Sequence, residues 1–434
     1  MIVNILDIEK NKLQIEKIKQ RSNIDLGRVE ESVREILNNV KNRGNKALIE
    51  YANKFDNVNL NEQDLVVSKE QIKNAYSKLN QNQIVAIKFA LSNIKKFAEL
   101  QMPRSFLNEL SPGIKCGTLI RPIDSVGCYI PGGNYPLPST TLMTVIPAKV
   151  AGVKEIIVVT PPQKNGVVNP AILVASDLAG ATKIILSGGA QGIAAIAYGT
   201  KTIPKVNKIV GPGNKYVTVA KKLLYGEVGI DMLAGPSEVL IIAKEDSNPK
   251  FIAADMLAQA EHDVVSCALL LTDSKKLANA VKYEIIKQTK KLSSKEIIKK
   301  SFEKYSCIVL VDSVDRAISF SNDFAPEHLE IMGYDESILD KITNAGSIFF
   351  GEYSVESAGD YCSGTNHVLP TGQFSKVRAG LSVYDFLKMP TIQMLTKKGL
   401  KALTNTITTL GKLEGLPAHV NSAKIRFENK NGEN

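Results

Sequence analysis

Residues 155–200 read EIIVVTPPQKNGVVNPAILVASDLAGATKIILSGGAQGIAAIAYGT. A short β-branched run (155–160) precedes an alanine-rich segment through PAILVASDLAG, and the pair repeats as KIILSGG and AQGIAAIAYGT. Strand and helix alternating at this pitch predict βαβ units and a parallel sheet covered on both faces. The pattern extends outward in both directions. Upstream stand VGCYIPG, from Val126, and a helix through TLMTVIPAKVAG; downstream stand KIVGPGN, the helix KYVTVAKKLLYG and the run SEVLIIA. Asn248 and Pro249 open a helix over 248–263, after which ALLLTDS, CIVLVDS, LEIMG and SIFFGE predict a second α/β sheet. The first hundred residues repeat apolar positions at helical spacing. The stretch from Ala379 to His419 reads as helical, and ENKNGEN (428–434) as a frayed polar tail.

A chain of 434 residues holds two or three domains with a large core. Its 44% apolar and 23% charged residues exclude a disordered chain. No apolar run approaches the roughly 18 residues of a membrane span, and MIVNILDIEKNKLQ lacks the basic start and apolar core of a signal peptide, so a cytoplasmic location is expected. The five cysteines (Cys116, Cys128, Cys267, Cys307, Cys362) are scattered and never paired as CxxC, which argues against a disulfide framework or a thiolate metal site. The net charge of +10 raises a nucleic-acid partner, but the lysines are spread over helix faces with no aromatic platform, so none is expected.

Three glycine-rich turns follow strand-like runs: YIPGGNYP (129–136), SGGAQG (187–192) and GPGNKY (211–216). None fits G-x-G-x-x-G, yet three such turns at the carboxyl ends of strands in one sheet suit a nucleotide crevice. Gln259 and His262, three residues apart on the predicted helix, project from one stripe, so one cation could touch both. The alternative is a histidine that only favours a helix end. Pro326 is placed at the first position of a short helix, with Glu327 and His328 in its first turn. There the dipole favours an ionised glutamate and a neutral imidazole, two proton-transfer groups suited to oxidising an alcohol and then an aldehyde. Asp360 and His367 lie in a Gly/Ser-rich loop and His419 follows a proline. With Gln259 and His262 they offer N and O ligands from separate segments, the pattern of a catalytic metal site that leaves zinc, manganese and related ions open.

In order and spacing, LAGPSEVL, DMLAQAEHD, FAPEHLEI, AGDYCSGTNHVLPTG and GLPAH, with VGCYIPGG, SGGAQG and GPGNKYV upstream, resemble the histidinol dehydrogenase family. The resemblance implies an α/β fold with two Rossmann-like doubly wound domains, small N- and C-terminal helical extensions and a dimer. It divides the chain into an N-terminal extension (1–23), a discontinuous first α/β domain (24–128 plus 237–381), a second, NAD-associated domain (129–236), and a C-terminal segment (382–434) that completes the partner's active site. It implies zinc (one per subunit) held by Gln259, His262 and Asp360 with His419 from the other subunit. Substrate contacts would come from Ser237, Gln259, His262, His328, Asp360, His367, Glu414 and His419. NAD contacts would come from Tyr129, Gln191 and Asn214, and Glu327 and His328 would be the acid/base pair. The implied reaction oxidises L-histidinol to L-histidine through the aldehyde, with two NAD reduced. Two rivals remain on the residues alone: a basic nucleic-acid module, and a zinc hydrolase with Glu327 as base, which would need no nucleotide turns.

Overall fold

The computed structural model describes residues 3–20, 27–132, 135–164 and 166–428. Gly133 and Asn134 of the first glycine-rich turn, parts of the 1–23 extension and most of the 428–434 tail lie outside the described residues. The chain packs as two compact units: the part up to Gln101 with Asp124–Phe386, and Met102–Ile123 with the part from Leu387 on.

The first unit contains two parallel sheets. One runs Lys183–Leu186, Glu155–Thr160, Ser125–Tyr129, Lys208–Val210, Gly229–Ile230. The chain moves outward from Ser125–Tyr129 on one side and then returns to its other side, so this strand marks the point where the winding direction reverses. The carboxyl ends at such a point leave a crevice between the diverging loops. The other sheet runs Ile5–Asp7, Cys307–Leu310, Cys267–Thr272, Glu238–Ala243, His328–Met332, Ser347–Phe350. Its reversal lies between Glu238–Ala243 and His328–Met332. The edge strand Ile5–Asp7 comes from the segment expected as an extension.

Both faces of the second sheet are buried, which accounts for its unbroken apolar runs. Val239, Ile241 and Ala243 pack towards helices Pro249–Ala260, Lys275–Thr289 and Lys295–Lys304, while Leu240 and Ile242 pack towards Lys12–Lys19 and Val314–Phe324. Asn248 caps its helix by accepting from the Lys250 N–H at 3.0 Å, with Pro249 at the first position. None of the five cysteines is in a disulfide; Cys128, Cys267 and Cys307 are buried within strands. Among the described residues no helix is long and apolar enough to cross a membrane.

The second unit has an antiparallel sheet of Phe106–Ser111, Ile114–Thr118 and Thr391–Leu395, and a two-stranded ladder of Arg121–Pro122 with Leu387–Lys388. Helices Lys397–Leu413 and Pro417–Lys424 follow. The stretch expected to be helical from Ala379 therefore opens instead with a strand: TIQML pairs with residues 114–118, and that pairing overrides the helical spacing of its apolar residues.

Candidate active site

Glu327 and His328 do not sit in a helix. The Val314–Phe324 helix ends at Ala325, which takes a left-handed conformation (φ 50°), and after Pro326 and Glu327 the chain enters the strand His328–Met332. The placement of Pro326 as a helix opener is thus corrected. The run HLEIM gains a fully buried place between two parallel strands, more than a one-turn helix could provide. His328 is therefore the first residue of a central strand, paired with Val239 and Ser347, at the amino end of its sheet.

The imidazole is 4% exposed. Its Nδ1 lies 3.0 Å from the Glu238 carbonyl oxygen, which can only accept, so Nδ1 carries the proton and Nε2 keeps its lone pair. Nε2 is buried without a hydrogen-bond partner among the described residues, 3.8 Å from Asp360 Oδ1. Burial pushes the imidazole pKa down to about 4, against a smaller opposing pull from Asp360. The neutral state expected from a helix dipole is thus produced by desolvation. Glu327 Oε2 accepts from the Glu238 N–H at 2.8 Å and lies 3.6 Å from His328 Nδ1.

Helix Glu356–Tyr361 supplies two carboxylates four residues apart, hence on one face. It seats against the strand Ser347–Phe350 because Gly359 has no side chain: a Cβ there would lie 2.5 Å from Phe349 Cε1, and Phe349 in turn packs on the His328 ring at 5.9 Å between centroids. Donor atoms of His262, Glu356 and Asp360 all fall within 4.8 Å of one another. Helix Pro249–Ala260 stops before His262, which lies on the following turn, its N–H donating to the Gln259 carbonyl at 3.3 Å. Gln259 and His262 thus share this corner by a turn rather than by the helical stripe expected. With its amide oriented to suit both neighbours, the fully buried Gln259 donates to Glu356 Oε1 at 2.6 Å and shares the Glu238 N–H, at 2.7 Å, with Glu327.

Burial, then repulsion from Asp360, Glu330 and Glu327, holds Glu356 well above the usual carboxylate range. Behind it, Glu330 is raised well above that range by burial and by Asp255, whose own pKa burial pushes up to about 6. Carboxylates crowded beside a histidine and an amide form a donor set of hard oxygens and an imidazole nitrogen, and a divalent cation would offset their repulsion. The residues present therefore fit a metal ion. Glu356 escaped the sequence reading, although its i, i+4 relation to Asp360 was there to find.

His367 joins this corner to the other sheet: its Nδ1 donates to the Asp360 carbonyl at 2.7 Å and its Nε2 lies 3.0 Å from Thr140 Oγ1 on helix Pro138–Ala151. Burial lowers its pKa, partly opposed by Asp360. Ser237 is half-buried and immediately precedes the strand Glu238–Ala243. Glu414 and His419 lie in the second unit, exposed at the end of one helix and in the first turn of the next.

At the carboxyl ends of the first sheet a cavity of about 1130 Å³ is lined by Tyr129, Gly132, Gly189, Gln191 and Asn214, among others. The three glycine-rich turns thus converge. The buried Tyr129 hydroxyl accepts from the Gly189 N–H at 3.0 Å, and Asn214 caps helix Lys215–Leu224 by accepting from Tyr216 and Val217 N–H at 3.0 and 3.2 Å. Gly211 takes φ +113°, and a Cβ there would strike the Tyr129 carbonyl oxygen, so only glycine lets the two strands end side by side. Its N–H donates to Asp231 Oδ2 at 2.7 Å and its carbonyl accepts from Lys221 Nζ at 2.9 Å. Lys221 and Asp231 are themselves ion-paired, with side chains 3% and 0% exposed.

A family model described as Histidinol dehydrogenase matches residues 19–427. The chain is 48% identical over 428 residues to a histidinol dehydrogenase of Methanothermobacter thermautotrophicus, covering 98% of this chain and 100% of that one. It is 48% identical over 424 residues to a histidinol dehydrogenase of Clostridium acetobutylicum, covering 98% and 97%. The crystal structure of histidinol dehydrogenase from Elizabethkingia anophelis superposes with a TM-score of 0.89 at 42% identity, covering 92% of each chain.

Proposed function

The chain belongs to the histidinol dehydrogenase family of NAD-dependent oxidoreductases, and on that premise we propose how its residues divide the work. Histidinol is oxidised at one carbon twice: RCH₂OH, two NAD⁺ and water give RCOO⁻, two NADH and three protons. His328 is the base for the hydroxyl proton of the first step. The observation that carries this role is its buried Nε2, unpartnered and deprotonated while Nδ1 is tied to a main-chain carbonyl. Glu327, adjacent and anchored on the Glu238 N–H, assists attack of water on the aldehyde for the second step. Tyr129, Gln191 and Asn214, which line the cavity of the first sheet, would hold NAD, which would serve as the hydride acceptor. Supporting that placement are its position at the winding reversal and the glycine-rich main chain around it.

Zinc, held by Gln259, His262 and Asp360 with His419 from a second copy of the chain, supplies a Lewis-acid anchor for the substrate. Ser237, His367 and Glu414 orient the substrate, and the closed corner retains the aldehyde between steps. A domain-swapped homodimer with shared sites suits the exposed Glu414 and His419, and a cytoplasmic place suits an enzyme that makes histidine. Mixing His262→Asn chains with His419→Asn chains should restore part of the activity only if the sites are shared.

The test is NADH formation from L-histidinol by the zinc-loaded protein. Two NADH per histidinol, lost on chelation and regained with zinc, is the expected result. One NADH per histidinol, or indifference to chelation, would overturn the assignment of steps or of metal.

A further inference from the structure

One wall of the cavity at the ends of the first sheet carries the acidic side chain of Asp56. Asp56 ends the π-helical turn Ala52–Asp56 and lines the cavity, and its Oδ2 is buried with no hydrogen-bond partner among the described residues. A buried oxygen left unmatched in a closed core costs free energy; at the wall of a ligand cavity it is an acceptor awaiting a donor. The residue before it, Phe55, is 48% exposed, lines the same cavity and stacks parallel on Tyr51 at 5.4 Å. An exposed aromatic side chain beside an unmatched carboxylate suits a purine followed by a ribose, because the base packs against the ring and the diol then reaches an acceptor.

Resting on the reading that NAD occupies this cavity, we propose that Asp56 accepts the hydroxyls of the adenosine ribose and thereby selects NAD against its 2′-phosphorylated form. A carboxylate opposite the 2′ position gains two O–H···O⁻ bonds with the diol and faces like charge with a phosphate. Other charged or titratable groups lining the cavity are Glu35 from helix Gly27–Arg43, Tyr51 from helix Asn45–Tyr51, Lys54 from the same turn as Asp56, Tyr129 at the end of its strand, Lys164 from the loop after Glu155–Thr160, and Tyr216 from helix Lys215–Leu224. Lys54 is turned over the Phe55 ring, 5.4 Å from its centroid. Burial of Asp56 pushes its pKa up to about 6. A diol binds the ionised form, so affinity for NADH is full above that pH and falls as pH drops through it.

The experiment is fluorescence titration of NADH and NADPH into the zinc-loaded protein between pH 5 and 8, with Asp56→Asn, Asp56→Glu and Gln191→Ala beside the wild type and circular dichroism as the check of folding. Asp56→Asn should weaken NADH about tenfold at pH 8, narrow the NADH/NADPH preference by about ten- to a hundredfold and flatten the fall in affinity below pH 6, whereas Asp56→Glu should keep NADPH excluded. If Gln191→Ala weakens NADH but Asp56→Asn leaves preference and pH profile unchanged, the role of Asp56 is overturned and the cavity remains the NAD site. If neither Gln191→Ala nor Asp56→Asn alters NADH binding, the placement of NAD in this cavity falls as well.

Discussion

Replacing Lys221 by Met tests whether the glycine turn at the cavity of the first sheet is held by a buried charge. Lys221 and Asp231 have side chains 3% and 0% exposed, so neither charge has water to fall back on. Removing one partner of such a pair strands the other and costs about 3–5 kcal/mol. In Lys221→Met the Asp231 carboxylate keeps the N–H groups of Gly211 and Met232, at 2.7 and 2.6 Å, which places the loss near the lower end, about 3 kcal/mol. The Gly211 carbonyl loses the Lys221 ammonium as donor, so the 211–214 turn should loosen as well. Asp231→Asn removes the opposite charge and leaves the buried ammonium with neutral acceptors such as the Gly211 carbonyl, a loss of about 4 kcal/mol. The double variant leaves no unpaired charge and should be more stable than the sum of the single losses by about 2 kcal/mol or more. Urea unfolding of the first unit, followed with hydrogen exchange at residues 211–217, measures both quantities. A Lys221→Met loss under about 1 kcal/mol, or strict additivity in the double variant, would refute the view that this pair pins the turn.

The remaining predictions concern the acid/base and carboxylate corner. His328→Asn should abolish the oxidation of histidinol, whereas Glu327→Gln should chiefly slow oxidation of added histidinal; single-turnover NADH traces separate the two. Glu356→Gln removes a carboxylate from the cluster and should weaken zinc about ten- to a hundredfold, read by competition with a chromophoric chelator. Gly359→Ala forces a Cβ to within 2.5 Å of Phe349 and should cost about 1–3 kcal/mol in denaturation while lowering zinc affinity through displaced Glu356 and Asp360. Because the folded pKa of Asp255 is raised to about 6 from the ordinary 3.8, the folded protein holds a proton that the unfolded chain releases. Stability is therefore lost as pH rises through that window, and Asp255→Asn should remove this residue's share of the decline, so that the variant gains on the wild type in melting temperature from pH 4 to pH 7.

The inner strands of both parallel sheets were legible because they are buried on two faces and so read as unbroken β-branched runs, as in EIIVVT and VLIIA, whereas the edge strands Ile5–Asp7 and Gly229–Ile230 are short and only partly buried and left no such mark. The three glycine-rich turns were legible for a related reason: a residue such as Gly211, with φ +113°, can be nothing else. The position of His328 was not, because a proline before two polar residues fits a helix start as well as the end of a linker, and only the neighbouring strands decide between them. The strands of the second unit were missed because they are short and mostly exposed, so no burial pattern marks them. Glu356 was missed because attention to histidines passed over a carboxylate one turn before Asp360. Asp56, two residues beyond a lysine in an ordinary helical pattern, carried no sequence signal at all; only the cavity wall distinguishes it.

His328 is rooted on the first residue of a central strand, where its position is set by ladders to two neighbours. Such a mount allows no swing of the kind a loop histidine has. If one carbon is to lose hydride twice in front of it, the adjustment between the steps must come from the guest, by rotation about its own single bonds. For the protein engineer the consequence is a division of labour. Other alcohols should be sought by recontouring the walls that cradle them, with the strand left untouched as the fixed reference against which each new molecule is aligned.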